Sequence, residues 1–159
     1  MLDKVRGYWH SAELLTAARM AEAGMIVSVP LVPARYDLIG DYGGRLIRVQ
    51  VKRAKWKPQR VTEIGKRDRA CWSFNLTRHR GKGKQHDPIE DCEFDYISVM
   101  CTQEDIYFIP VQVLFSERLN GKLRKIIQIK PPDPTSTRAD AKESGERWEP
   151  YRNKFELQL

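Results

Sequence analysis

Between Ile47 and Lys52 the chain reads Ile-Arg-Val-Gln-Val-Lys, a strict alternation of β-branched and polar residues. Only an extended strand sorts such a pattern, because successive side chains then point to opposite faces. Ile47, Val49 and Val51 face a core, while Arg48, Gln50 and Lys52 project together from the other side. Upstream, residues 36–39 predict a second strand. Asp41-Tyr42-Gly43-Gly44 predicts the tight turn between the two, since glycines supply the positive φ that short hairpin turns demand. The hairpin brings Asp37 back beside Gln50, thirteen positions later. A carboxylate, an amide and a lysine therefore converge.

The rest of the pattern is mixed α/β. Residues 9–23 predict a helix carrying Glu13, with Ser11 as its cap, Gly24 as its stop, and Leu14, Ala17, Ala18 and Ala21 at helical spacing. Strands are expected over 25–29, 35–39, 46–53, 71–76, 96–101, 106–111 and 125–129, with Thr102 to Asp105 as a turn. Pro131-Pro132-Asp133-Pro134 is read as a linker. Beyond it, 137–144 predicts a short helix. Residues 146–155 predict either an amphipathic helix interrupted near Pro150 or an ordered tail that needs another subunit to be buried. The segments 53–69 and 78–86 are expected to be long basic loops, and no internal repeat is evident.

A chain of 159 residues, 41% of them hydrophobic, supports one domain with a real core, here taken to span 1–159 with a helical C-terminal tail from about 135. No apolar run approaches the ~20 residues of a membrane span, and the N-terminus lacks a basic-then-apolar leader, so a cytoplasmic protein is expected. Cys71, Cys92 and Cys101 are odd in number and lack Cys-x-x-Cys spacing, which argues for reduced structural thiols. The gaps among Cys71, His79, His86 and Cys92 also fail to match zinc-site spacing.

The formal net charge is +7, but its placement is more telling. Residues 45–86 hold fourteen Lys/Arg against Glu63 and Asp68 alone, while residues 87–117 hold eight acids and no Lys/Arg. A basic run interleaved with Trp56 and Trp72, directly beside the polar strand face, is the electrostatic footprint of a nucleic-acid-binding surface. A solvated basic loop is the blander alternative. The expected DNA contacts are Arg48, Arg53, Lys55, Lys57, Arg60, Lys66, Arg67, Arg69, Arg78, His79, Arg80, Lys82 and Lys84, which reach phosphates and, for Arg and Lys, guanine edges. The Gly-aromatic signature of common RNA-binding modules is missing from the sequence.

A helix with Glu13, a strand with Asp37, then Gln50-Val51-Lys52 on the next strand resembles the PD-(D/E)XK nuclease superfamily, with Gln50 where the commonest motif has Asp or Glu. Within it the chain looks closest to small Holliday junction resolvases and to group I intron-encoded homing endonucleases, some of which use Gln-x-Lys. Phe94-Asp95-Tyr96-Ile97 and Tyr107-Phe108-Ile109-Pro110 fit the homing group's pattern. The resemblance covers about 7–110 and implies a restriction-endonuclease-like core, a mixed central sheet flanked by helices. It also implies catalysis by Glu13, Asp37, Gln50 and Lys52, with Mg²⁺, or Mn²⁺ in its place, held by Asp37, Gln50 and Glu13.

The residue types suit that chemistry. Phosphodiester hydrolysis needs a nucleophilic water, a stabilised leaving oxygen and charge offset at the phosphorus, all of which a hard cation supplies. Asp37 offers the main oxygen ligand, and Gln50 a neutral one through its amide oxygen. An amide in place of an acid removes one negative charge, so metal binding leans on the substrate's phosphates. Lys52 holds the attacking water or stabilises developing charge. Glu13 orients water on the ion or binds a second ion.

Three functions follow as expectations. The first is a site-specific, Mg²⁺-dependent double-strand endonuclease of homing type that leaves 5′ phosphates and pairs half-sites as a homodimer or homotetramer. The second is a junction resolvase, and the third a DNA-binding protein whose nuclease site has decayed at Gln50.

Overall fold

The computed structural model describes residues 4–61, 67–68, 70–79, 86–88, 93–116, 118–119, 122–123, 125–131 and 146–157. The chain opens with α1, Lys4–Glu22. Its start lies upstream of the expected one, so Ser11 sits inside the helix rather than capping it. Gly7 costs a helix interior about 1 kcal/mol, and the burial of Ala12, Thr16 and Met20 against the sheet outweighs it. The helix ends as its glycine predicts: Gly24 takes φ +88°, its N–H bonds the Ala21 carbonyl, and the Met25 N–H bonds the Met20 carbonyl. These two bonds form a Schellman cap, and its flanking methionines are buried together.

Three strands follow, β1 (Ile26–Ser28), β2 (Leu38–Tyr42) and β3 (Arg45–Arg53). Gly43 and Gly44 both have positive φ, giving the two-residue turn of type I′ whose twist matches the strands it joins. Asp41 serves that turn, its Oδ1 accepting the Gly44 N–H at 2.8 Å. Beyond β3 come β4 (Lys55–Lys57), β5 (Arg60–Val61), β6 (Arg67–Asp68), β7 (Cys71–Asn75), β8 (Thr77–His79) and β9 (His86–Pro88). The expected long basic loops are thus partly hairpins: β5 pairs β6 and β8 pairs β9.

The chain then returns through β10 (Tyr96–Met100), β11 (Ile106–Pro110), the short helix α2 (Val111–Phe115), β12 (Arg118–Leu119), β13 (Lys122–Leu123) and β14 (Ile126–Ile129). The central sheet has the order β1-β2-β3-β10-β11. β3 and β10 run parallel and every other pair antiparallel, so the sheet is mixed. A smaller sheet, β14-β7-β4, covers part of one face.

Two apolar layers hold these elements. Ile47, Val49 and Val51 pack with Met20, Met25, Met100, Ile106 and Phe108 on the α1 side. Ile97, Val99 and Ile109 face the other way, against Phe74, Leu76, Ile127 and Ile129 of the smaller sheet and Leu114 of α2. Within the α1 layer one polar contact is sealed in, a 2.8 Å bond between the hydroxyls of Thr16 and Ser98.

In the described part of the C-terminal tail Glu146 is helical, one 3₁₀ turn spans Glu149–Tyr151, and no helix continues from there to Phe155. Nor does it await another subunit. Trp148, Phe155 and Leu157 are buried in this chain's own core, with the Phe155 ring stacked on Phe108 at 4.8 Å. Asn153, at φ 53°, accepts the Ile106 N–H through Oδ1 and donates through Nδ2 to the Glu104 carbonyl. The expected helix over 137–144 lies outside the described residues. Phe155→Ala is expected to cost about 3–5 kcal/mol of stability, as core Phe truncations do, measured by urea denaturation; a loss under about 1 kcal/mol is the result that excludes the tail from the core.

Candidate active site

β3 is the central strand, and its alternation holds in three dimensions, although the polar face is not an open one. Ile47, Val49 and Val51 are at most 9% exposed, and Gln50, on the opposite face, is as buried as Val51. Arg48 and Lys52 are half-buried. Gln50 and Lys52 stand beside Ile97 and Val99 of β10, under the smaller sheet.

Asp37 is not itself in a strand but immediately ahead of β2. Its backbone N–H bonds the Val49 carbonyl at 2.9 Å, the last ladder-like bond between this segment and β3. Beyond that point β2 no longer faces β3, and the next N–H on that edge belongs to Val51. The Asp37 carboxylate takes it, Oδ2 accepting from Val51 N–H at 2.6 Å and also from the side-chain amide of Gln50. Asp37 and Gln50 are therefore in direct contact, as the hairpin predicts. Burial pushes the Asp37 carboxyl above its ordinary value; the Val51 N–H opposes this, the negative charge of Glu13 adds to it, and Lys52 opposes it. Both Glu13 and Lys52 thus lie within electrostatic reach of Asp37, although α1 packs on the sheet face opposite Gln50 and Lys52. Asp37 and Gln50 meet at the edge where β2 leaves β3, and the charges of Glu13 and Lys52 act on Asp37 there.

The donor set fits a divalent hard cation. Asp37 is a carboxylate whose charge is disfavoured by burial and by Glu13, an imbalance that a cation corrects. Gln50 donates its amide N–H to Asp37 as placed, and a half-turn of the amide presents oxygen instead, the two orientations being sterically equivalent. Glu13 supplies further negative charge. No cluster of three or more His, Cys, Asp or Glu with metal-binding spacing occurs among the described residues, so the ligand set rests on the acid–amide pair.

Sequence reasoning gave Asp95 no role, and it mirrors Asp37. On the other edge of β3 its Oδ2 accepts the Arg48 N–H at 2.7 Å, while its two oxygens take Arg48 Nε and Nη2 at 3.2 and 3.1 Å. Burial works against the charge of Asp95, but the side-chain and backbone bonds from Arg48 and the charges of Arg48 and Arg45 prevail, holding the carboxyl below its ordinary value. Arg48 is therefore braced at its base, with its side chain still 41% exposed. Arg35, two residues before Asp37, is pinned to the buried Glu93 at 2.9 Å, which ties the segment entering Asp37 to the one entering β10. A run of acids was legible in the sequence around Glu93 and Asp95; their partners were not.

Of the expected DNA contacts, Arg53, Lys55 and Lys57 follow directly. Lys55 and Lys57 are exposed on β4 and flank Trp56, itself 46% exposed and tilted against Trp72 with centroids 5.0 Å apart. Arg53 lines a groove with Leu14, Ala18 and Met100. Arg60, Arg67, Arg78 and His79 fall on the short hairpin strands; Lys66, Arg69, Arg80, Lys82 and Lys84 lie outside the described residues, as does Cys92. Cys71 and Cys101 are free buried thiols, and burial pushes that of Cys101 up to about 12.

A mixed five-stranded sheet with an acid at a strand divergence and Gln-x-Lys on the central strand is a restriction-endonuclease-like α/β fold. The family model described as PD-(D/E)XK endonuclease matches residues 9–131, and the chain belongs to that family. Among solved structures it is similar to a bacterial homing endonuclease, I-Ssp6803I, at TM-score 0.68 and 21% identity, over 94% of this chain and 89% of that one. A weaker likeness is to MepB, at TM-score 0.47 and 14% identity over 80% and 83% of the two chains. No curated protein matches it.

The elevated carboxyl of Asp37 sets the sign of a stability test. With its folded value above 3.8, the group favours the fold most when protonated, and stability declines as pH rises through the folded value. Asp37→Asn keeps an acceptor for Val51 and discards the charge. At pH 7 it is expected to melt higher than wild type, with the difference vanishing once pH falls below the ordinary carboxylate value of about 4, where both states are protonated. A variant that melts lower at pH 7 by calorimetry contradicts this reading.

Proposed function

We propose that this chain is a Mg²⁺-dependent, site-specific endonuclease of the homing type, cutting double-stranded DNA to leave 5′ phosphates and working as a homodimer or homotetramer. The contact of the Asp37 carboxylate with Gln50, two residues from Lys52 on the same strand face, carries this reading. Likeness of fold to a homing endonuclease over nearly the whole chain supports the homing type, and the basic run of 45–86 supports a polyanionic substrate.

Asp37, Gln50 and Glu13 are the residues that would hold the ion, which when bound supplies Lewis acidity to water and offsets charge at the phosphorus. Lys52, half-buried beside Asp37, sets a positive charge where the phosphate accumulates negative charge, in a partly dehydrated setting that strengthens the interaction. Its ammonium also holds water for in-line attack. Arg48 keeps a fixed direction because Asp95 grips it from two sides, so it meets a phosphate with little entropy left to lose. Lys55, Lys57 and the cations of the two small hairpins add sequence-independent affinity that falls steeply with salt. The neutral Gln50 lowers the site's charge by one relative to an acid, so ion binding strengthens once a phosphate arrives. The domain spans the whole of 1–159.

A randomised duplex library and a four-way junction, each incubated with protein and Mg²⁺ and read by sequencing ligated ends, test the proposal. Discrete duplex cuts bearing 5′ phosphates are expected. Lys52→Ala is expected to slow cutting by about 10²–10³-fold and Asp37→Asn by at least as much, with DNA affinity held within about threefold. Cutting of the junction alone assigns the resolvase reading; binding without cutting, reversed by Gln50→Glu, assigns a decayed site.

A further inference from the structure

Residues 23–34, Ala-Gly-Met-Ile-Val-Ser-Val-Pro-Leu-Val-Pro-Ala, hold no charged side chain in a chain that is 31% charged. They are not hidden. Ile26 is 75% exposed, Val29 66%, Leu31 102% and Val32 71%. Leu46 joins them at 67%, because Ile26 stands opposite Asp41 and Asp41 opposite Leu46, which places the two aliphatics on one sheet face. Asp41 between them turns its carboxylate onto the hairpin. β1 is also the outermost strand of the central sheet, with a backbone edge that no described strand pairs.

We infer that this surface is where two copies of the chain meet, β1 lying against its counterpart around a two-fold axis. It locates the assembly proposed above and rests on that reading only for its purpose, since exposure, charge and topology carry it independently. Charge selects the occupant. Two copies of a +7 chain repel through most of their surface, and an isologous contact sets one patch against the same patch, so a patch of one sign meets its own sign. This face avoids that penalty. The cations that bound it in sequence, Arg19 and Arg35, are each neutralised at 2.9 Å by Glu22 and Glu93. Residues 23–34 offer a phosphate backbone no Lys or Arg, and Arg48, which shares the Leu46 face, is paired with Asp95 at 3.1 Å. Five exposed aliphatics at roughly 100 Å² each supply about 500 Å² of the ~800 Å² per partner of a standard interface, and Pro30, Pro33 and the strand edge add to it.

Sedimentation equilibrium on the full chain, without DNA or metal, at about 10 µM, is the test, with Leu31→Asp/Val32→Asp as the variant. Wild type is expected at twice the 18.5 kDa chain mass or a higher multiple. The variant is expected as a monomer with unchanged far-ultraviolet circular dichroism, its dissociation constant raised by about 100-fold or more. Leu31→Ser/Val32→Ser gives the same reading should the acidic pair disturb the loop. A monomeric wild type, or a variant that stays associated, overturns the inference, as does a variant whose mass is unchanged while its DNA affinity collapses. Because the readout is mass, a monomer that still cuts DNA overturns this surface and leaves the nuclease reading standing, whereas a dimer that cuts nothing does the reverse.

Discussion

The Asp37 edge of the central strand depends on one hydrogen bond, from the Val51 N–H to the Asp37 carboxylate. Where β2 leaves β3 the ladder runs out, and a half-buried N–H without an acceptor costs on the order of 1–3 kcal/mol. A carboxylate at position 37 supplies the acceptor, and in doing so it is fixed in place. Asp95 does the same on the other edge at Arg48. The central strand is therefore sealed by two acids, one on each side. The polar residues between them, Arg48 and Gln50, are each gripped by the acid on their own side.

The two acids answer to different balances. Asp95 is surrounded by arginines and favours its charged form, so it strengthens the fold. Asp37 has one lysine nearby, a glutamate opposing it and substantial burial, so its charge weakens the fold. A carboxylate kept charged against its surroundings is stabilised by a bound cation, and perturbed acids of this kind cluster at functional sites. Structure and chemistry thus compete for the same carboxylate.

Much of this was legible in the sequence. The alternation from Ile47 to Lys52 and the Gly43-Gly44 turn are short-range signals, and they fixed the hairpin, its register and the meeting of Asp37 with Gln50. Gly24 likewise announced the end of α1. Its beginning was not announced, since burial further along holds a first turn that Gly7 and the mid-helical Ser11 argue against. α2 was missed because Val111, Val113, Leu114 and Phe115, with Gln112 between them, follow a proline and read equally well as the end of a strand. The burial of Gln50 was also out of reach: it follows from a second sheet folding over the polar face, a contact between residues far apart in the chain. The braces Arg48–Asp95 and Arg35–Glu93 join positions 47 and 58 residues apart, and no local pattern encodes such partners.

That separation orders the events of folding. Asp37 reaches Val51 across 14 residues through a tight turn, a closure that costs little chain entropy. Asp95 reaches Arg48 only after the whole excursion from β4 to β9 has been looped out, and non-local parallel pairings of this kind are slow to form. The acid–amide pair is therefore assembled early by a hairpin, while the grip on Arg48 and the cover over Gln50 come with the long closure. A chain caught between the two events has its acid in place but neither a braced Arg48 nor a covered Gln50, so the two sides of the central strand are completed by closures of very different length.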